Sequence, residues 1–259
     1  MKITPLKTND GTVSSASKVL LYGHHGAGKT TQIKNYSRTF GKGLILSGES
    51  GLSSISDLDC DYIPFTSFDR EVKEGYSFKQ IMSHIMSDDF KNKDYKWIAI
   101  DSISELSQRC FADVLASSGK DNISFEEWSN YERKITFALK WVRDLPMHVL
   151  ITALAAEESD DNGVTNYWPS LVQKKIQKGA PALFDHVFCL LRKTSEQGGK
   201  VDVKRFIVTD EVRGWHGKAR DAHRRLSPIE NTDDVTDLLK RIYMTEEQFS
   251  NYQRKGDAA

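Results

Sequence analysis

The chain has 259 residues, 39% hydrophobic and 28% charged, with a formal net charge of zero, which suits a folded α/β protein and argues against global disorder. No run approaches the roughly 18 apolar residues that cross a bilayer, and the start M-K-I-T-P-L-K-T-N-D lacks a signal-peptide core. Cys60, Cys110 and Cys189 form no C-x-x-C pair, so neither a disulfide framework nor a zinc site is supported, and a cytoplasmic home is expected.

Lys18–Gly23 (K-V-L-L-Y-G) reads as a buried strand, followed by a helix that starts over Thr30–Tyr36. Gly43–Ser47 (G-L-I-L-S) is a second short apolar run, ending in G-E-S-G. Asp61–Thr66 reads as an edge strand, because Pro64 would remove a ladder bond from a central one. Tyr76–Met86 and Glu105–Leu115 have helical spacing, and between them K-W-I-A-I closes on Asp101. Glu126–Leu145 places Trp128, Tyr131, Ile135, Leu139 and Val142 at three- and four-residue intervals, which predicts a long amphipathic helix. After Pro146 comes another strand, H-V-L-I-T-A-L. Asp185–Arg192 and Val201–Thr209 flank T-S-E-Q-G-G-K as an antiparallel hairpin, and Asp234–Met244 and Thr245–Arg254 read as short surface helices.

Strands apolar on both faces, alternating with helices, predict an α/β fold with a mostly parallel central sheet covered by helices, plus a C-terminal antiparallel hairpin. The charge is uneven. Residues 171–225 carry 13 Lys or Arg against 6 Asp or Glu, which is either a solvated hairpin surface or a footprint for a polyanion or a neighbour's nucleotide.

Gly23-His24-His25-Gly26-Ala27-Gly28-Lys29-Thr30 matches G-x-x-x-x-G-K-[ST] in full, between a strand and a helix. Glycines let the backbone wrap so that its N–H groups converge on phosphate oxygens, and the helix N-terminus adds its dipole. ATP with Mg²⁺ is the expected ligand pair, held by Gly23 through Thr31. Lys29 is expected on the β- and γ-phosphates and the Thr30 hydroxyl on the metal. Asp101, at the tip of an apolar strand, is the expected second metal anchor, and Ser102 beside it either supports the site or caps the next helix. Glu49, at another strand tip, is the candidate for orienting the attacking water. Thr152 is a candidate γ-phosphate sensor.

The set G-H-H-G-A-G-K-T, L-I-L-S-G-E-S-G, W-I-A-I-D-S and V-L-I-T-A resembles the RecA-like P-loop ATPase core, in particular compact bacteriophage proteins related to the RecA/Rad51 recombinases. The resemblance covers roughly residues 18–225. It implies that Glu49 polarises the attacking water and that Asp101 is the Walker B aspartate. It also implies that Lys218 and Arg220, in G-W-H-G-K-A-R-D, reach the γ-phosphate of an adjacent subunit in a ring or filament. A Lys-x-Arg pair on a strand would point both cations the same way. Single-stranded DNA is the implied partner, with Tyr167 and Trp168 to stack on bases and Lys174, Lys175 and Lys178 to meet phosphates. They follow a long polar stretch read as a mobile loop. The acidic run Glu157, Glu158, Asp160 and Asp161 stands against a nucleic-acid path unless it faces elsewhere.

The domain expectation is an N-terminal extension (1–17), a RecA-like core (18–225) and a helical tail (226–259) that could dock on a single-strand-binding protein. The expected activity is ATP hydrolysis coupled to single-strand binding, annealing or recombination, in the host-cell cytoplasm if phage-encoded. The alternative is a P-loop small-molecule kinase or a nucleotide-gated assembly factor without DNA chemistry.

Overall fold

In the computed structural model, which describes residues 16–49, 51–119, 123–197 and 200–256, K-V-L-L-Y-G forms strand β1 (Lys18–Gly23), buried at every position. The chain continues through α1 (Gln32–Phe40), β2 (Gly43–Ser47), β3 (Asp61–Ser67), β4 (Tyr76–Ser77), α2 (Phe78–Ile85), α3 (Asp88–Lys91) and β5 (Trp97–Asp101). Next come α4 (Ile103–Ser118), α5 (Phe125–Arg143), β6 (His148–Ser159), β7 (Thr165–Pro169) and α6 (Lys174–Gly179). The last third holds β8 (His186–Gln197), β9 (Lys200–Val208), β10 (Glu211–Val212), β11 (Trp215–His216), β12 (Ile229–Glu230), α7 (Val235–Tyr243) and α8 (Glu246–Gly256).

The main sheet runs β12-β9-β8-β1-β6-β5-β2-β3-β4. From β8 to β4 every pair is parallel, whereas β9 and β12 are antiparallel to their neighbours. The strand that feeds the phosphate loop and the strand that ends in Asp101 are separated by β6. Both neighbours of β1 come late in the chain, while β2 lies three places away, so a crevice opens at the carboxyl tips.

Alternation along the strands sends side chains into two cores. Leu20, Tyr22, Ile98, Ile100, Val149 and Ile151 pack with residues of α2, α4 and α5. Val19, Leu21, Trp97, Ala99 and Leu150 pack with α1 and α7 on the opposite face. Such two-sided burial is why these strands read as continuous apolar runs.

Several elements differ from the sequence reading. The β3 strand does not close the sheet, because β4 adds to it at Phe65 and Ser67. That pairing falls beyond Pro64, whose residue partner across the sheet is Ser47 of β2. The α2 helix begins two residues late, at a capping box in which Ser77 and Gln80 satisfy each other's backbone N–H groups. The polar stretch after V-L-I-T-A is not a loop but a hairpin: β6 runs on to Ser159 and pairs with β7 in five-residue register. The α7 helix is a core element, since Val235, Leu238, Leu239 and Ile242 are buried against α1 and β1. The first fifteen residues of the N-terminal extension lie outside the described residues. No helix among the described residues is long and apolar enough to cross a membrane.

One core group carries a pH signature. His186, the first residue of β8, is fully buried, and its Nε2 lies 3.0 Å from the Tyr243 hydroxyl. Burial, with smaller contributions from Arg220 and Lys218, pushes its pKa down to about 4, against the opposing carboxylates of Asp185 and Asp221. The unfolded chain takes up this proton near pH 6.5. The stabilisation is therefore complete above that pH and is lost as pH falls from about 6.5 through 4. Acidification over this range should remove about 3 kcal/mol through this ring, and H186Q should flatten that part of a chemical-denaturation profile.

Candidate active site

The loop between β1 and α1 is shaped by its glycines. Gly26 and Gly28 have φ of +70° and +106°, which L side chains rarely adopt. At Gly23 a Cβ would come within 2.3 Å of the Leu190 carbonyl oxygen, so the first glycine lets β8 pass against the start of the loop. The Lys29 ammonium folds back onto the carbonyls of Gly23 and His24, both at 2.9 Å. Burial lowers its pKa from the ordinary lysine value, against the pull of Asp101 and Glu49. A desolvated cation so placed has much to gain from phosphate.

Register then brings three elements to one point. The Thr30 hydroxyl donates to Asp101 Oδ2 at 2.9 Å, and the Thr152 hydroxyl donates to Asp101 Oδ1. Asp101 is 3% exposed, and burial raises its pKa above the usual carboxylate range. Glu49 adds to that rise, while the two hydroxyls and Lys29 oppose it. Thr152 is itself wholly buried. Its hydroxyl orients the Asp101 carboxylate.

The donor set fits a small, hard divalent cation bound together with a triphosphate. It offers one hydroxyl and one carboxylate at the mouth of the glycine cradle. Among the described residues no group of three or more His, Cys, Asp or Glu side chains gathers to hold a metal alone. The rest of the coordination shell would be left to phosphate oxygens and water, a division that suits magnesium. Bound there, such an ion neutralises charge on the transferring phosphoryl group.

Glu49 stands at the tip of β2 with its side chain exposed. The Ser102 hydroxyl donates to its Oε1, and the Ser47 hydroxyl donates to its backbone carbonyl at 2.7 Å. Ser102 also accepts from Glu105 N–H at 3.3 Å, so it caps α4 and steadies Glu49 at once. The N–H of Gly48 donates to the Asp101 carbonyl at 2.9 Å, which ties the two strand tips together. The result is a carboxylate within the field of Lys29 and Asp101 yet open to water.

Both histidines of the loop are exposed. His24 sets its ring edge-on to Tyr167 and Trp215, at 5.7 and 5.4 Å, and its Nε2 lies 3.8 Å from Glu157. Tyr167 is stacked on Trp215 at 4.2 Å, and Trp168 on His216 at 3.7 Å. Lys174 and Lys178 both pair with Glu158, at 3.1 and 3.0 Å, and Lys175 pairs with Glu132 at 2.6 Å. The acidic run thus meets this chain's own lysines and loop.

Lys218 and Arg220 are not brought to this constellation. Lys218 makes a single bridge to Val187, which stands opposite Leu20, and is not part of a longer strand. Its ammonium is held by the carbonyls of Phe184 and Pro181, at 2.7 and 3.3 Å, and Arg220 pairs with Asp185 at 2.8 Å. Without a ladder to align them, the two cations take separate partners. They lie toward the start of β1, whereas the phosphate loop leaves its far end. Within one chain they serve no triphosphate on that loop.

A strand order with the acidic strand one place removed from the loop-bearing strand, and the loop at the switch point, is that of a P-loop NTPase with RecA-like architecture. The model of the AAA domain family matches residues 15–220, and the chain belongs to that family. Among solved structures the chain is similar to a KaiC-like protein from the hyperthermophilic archaeon Pyrococcus horikoshii, at 16% identity and a TM-score of 0.42 over 74% of this chain and 78% of that one. It is also similar to the flagellar accessory protein FlaH from Methanocaldococcus jannaschii, at 11% and 0.38 over 77% and 80%. A third is the RadB recombinase, at 13% and 0.40 over 75% and 80%. No match was found among curated protein sequences.

Proposed function

We propose that this NTPase hydrolyses ATP with magnesium and couples the cycle to single-stranded DNA held on the β6–β7 hairpin, in annealing or recombination. The observation that carries the coupling is the join between that hairpin and the strand feeding the phosphate loop. The Tyr22 hydroxyl, one residue before Gly23, donates to the Tyr167 carbonyl at 2.9 Å and accepts from the His216 N–H at 2.9 Å. With His24 seated on Tyr167 and Trp215, a base that displaces or stacks on these rings pushes directly on the loop. A phosphate backbone would take Lys174 and Lys178 over from Glu158, an exchange that weakens with salt. Lys218 and Arg220 then serve the triphosphate of an adjacent copy in an oligomer.

In this cycle Lys29 leaves the loop carbonyls for the phosphates, Glu49 receives the proton of the attacking water, and Ser102 and Thr152 hold the two carboxylates in place. The test is ATP turnover with and without single-stranded DNA, for wild type and K29A. DNA stimulation that is absent in K29A is expected, and turnover indifferent to DNA overturns the coupling. A second reading rests on a cavity of about 570 Å³ beside Glu49, lined by Leu52, Cys60, Tyr62, Phe65 and Arg109. It has the size of a small-molecule acceptor site, and a phosphorylated organic product in place of free phosphate would favour a kinase.

A further inference from the structure

Two arginines outside every motif converge on the phosphate loop from its own chain. Arg192 of β8 and Arg205 of β9 stand directly opposite each other in the hairpin register. Arg205 Nε donates to the Ala27 carbonyl at 2.9 Å and lies 3.3 Å from where a Cβ on Gly28 would sit. Arg192 Nη1 comes within 3.8 Å of the corresponding position on Gly26. The Arg205 guanidinium therefore rests against residues 27–28 and that of Arg192 stands beside Gly26, on a loop whose amides would face a bound phosphate.

Like charges directly opposite one another on a sheet are destabilising. Here nothing separates them well. Among the described residues Arg192 has no hydrogen-bond or ion-pair partner, and the nearest carboxylate to Arg205, that of Asp233, stands 4.0 Å away. The next pair on the hairpin, Lys193 opposite Lys204, is also cationic. Two guanidinium forks thus stand beside the phosphate loop, with one long ion pair from Arg205 to Asp233 as the only carboxylate contact of the two among the described residues. Their planar donors suit phosphate oxygens.

We propose that Arg192 and Arg205 are nucleotide-binding residues acting in cis, closing over the phosphates held by the loop of the same chain. They are distinct from Lys218 and Arg220, which lie toward the start of β1. The proposal rests on the nucleotide-binding reading of the loop and adds two residues to it.

The test uses the full chain, with a fluorescent ATP analogue for affinity and thermal melting of the nucleotide-free protein. R192Q should bind the analogue roughly tenfold more weakly, the loss expected for one charged hydrogen bond. Its melting temperature without nucleotide should equal or exceed that of wild type, because a repulsion is relieved, and R192K should recover part of the affinity. A structural role would instead lower the melting temperature. At a nucleotide concentration low enough that R192Q and K29A are each inactive alone, mixing them should not restore hydrolysis, since a site missing Arg192 cannot borrow it from a neighbour. Unchanged affinity in R192Q, or activity regained on mixing, overturns the cis assignment. If K29A binds the analogue as wild type does, the loop reading itself fails and takes this one with it. If K29A loses binding while R192Q keeps it, only the arginine assignment falls.

Discussion

E49Q should slow hydrolysis by roughly two to four orders of magnitude, the usual contribution of a positioned general base, while nucleotide affinity stays within a few-fold of wild type. The structure separates these two properties. On the proposed reading binding belongs to the loop, to Lys29 and to the Thr30–Asp101 pair, whose bonds go elsewhere than to the Glu49 carboxylate. The carboxylate is held from behind by Ser102 and from its own backbone by Ser47, and its remaining surface is open to water. Glutamine keeps the shape and can still meet the Ser102 hydroxyl, but it cannot take a proton. Single-turnover hydrolysis beside analogue binding checks the split. A wild-type rate in E49Q removes Glu49 from the chemistry, and a parallel loss of affinity would make it a binding residue.

The D101N change should act on the other side of that split and should show an opposite sign in stability. Losing a metal-anchoring carboxylate costs several kcal/mol of transition-state stabilisation, or at least about a hundredfold in rate, and magnesium should no longer tighten nucleotide binding. Yet the metal-free variant should be as stable as wild type at neutral pH, or more so. Burial raises the folded-state pKa of Asp101 above the unfolded value near 3.9. A group shifted in that direction stabilises fully below the unfolded pKa, and the contribution is lost as pH rises through the folded one. At pH 7 wild type carries the cost of an ionised, buried carboxylate, and asparagine does not. For the same reason magnesium should bind wild type more weakly on acidification, beginning at a higher pH than an ordinary aspartate would give. Denaturation of both proteins with and without magnesium and nucleotide tests the sign. A metal-free D101N much less stable than wild type would mean that its bonds to Thr30 and Thr152 are mainly structural.

The phosphate loop and the strands around it could be read from the chain because their geometry is local. Glycine spacing sets the wrap of residues 23–30, and an apolar run buried on both faces announces a central strand wherever its neighbours lie. Ser102 could be given two roles from sequence, and it performs both because cap and support are reached within a few residues of one helix start. The hairpin of Leu154–Pro169 was hidden. Its residues are polar and alternate poorly, and its pairing is supported from outside by Tyr22, Gly214 and Trp215.

By itself, then, the sequence determined a parallel α/β protein with a triphosphate loop and two carboxylates at strand tips. Tertiary structure alone decided which distant side chains meet them. Thr152 turns to Asp101 because β6 lies between β1 and β5. Arg192 and Arg205 meet at the loop because one hairpin register faces them together, and Lys218 and Arg220 lie toward the opposite end of β1. These meetings depend on register between segments far apart in the chain, where a shift of one residue turns a side chain to the other face of the sheet.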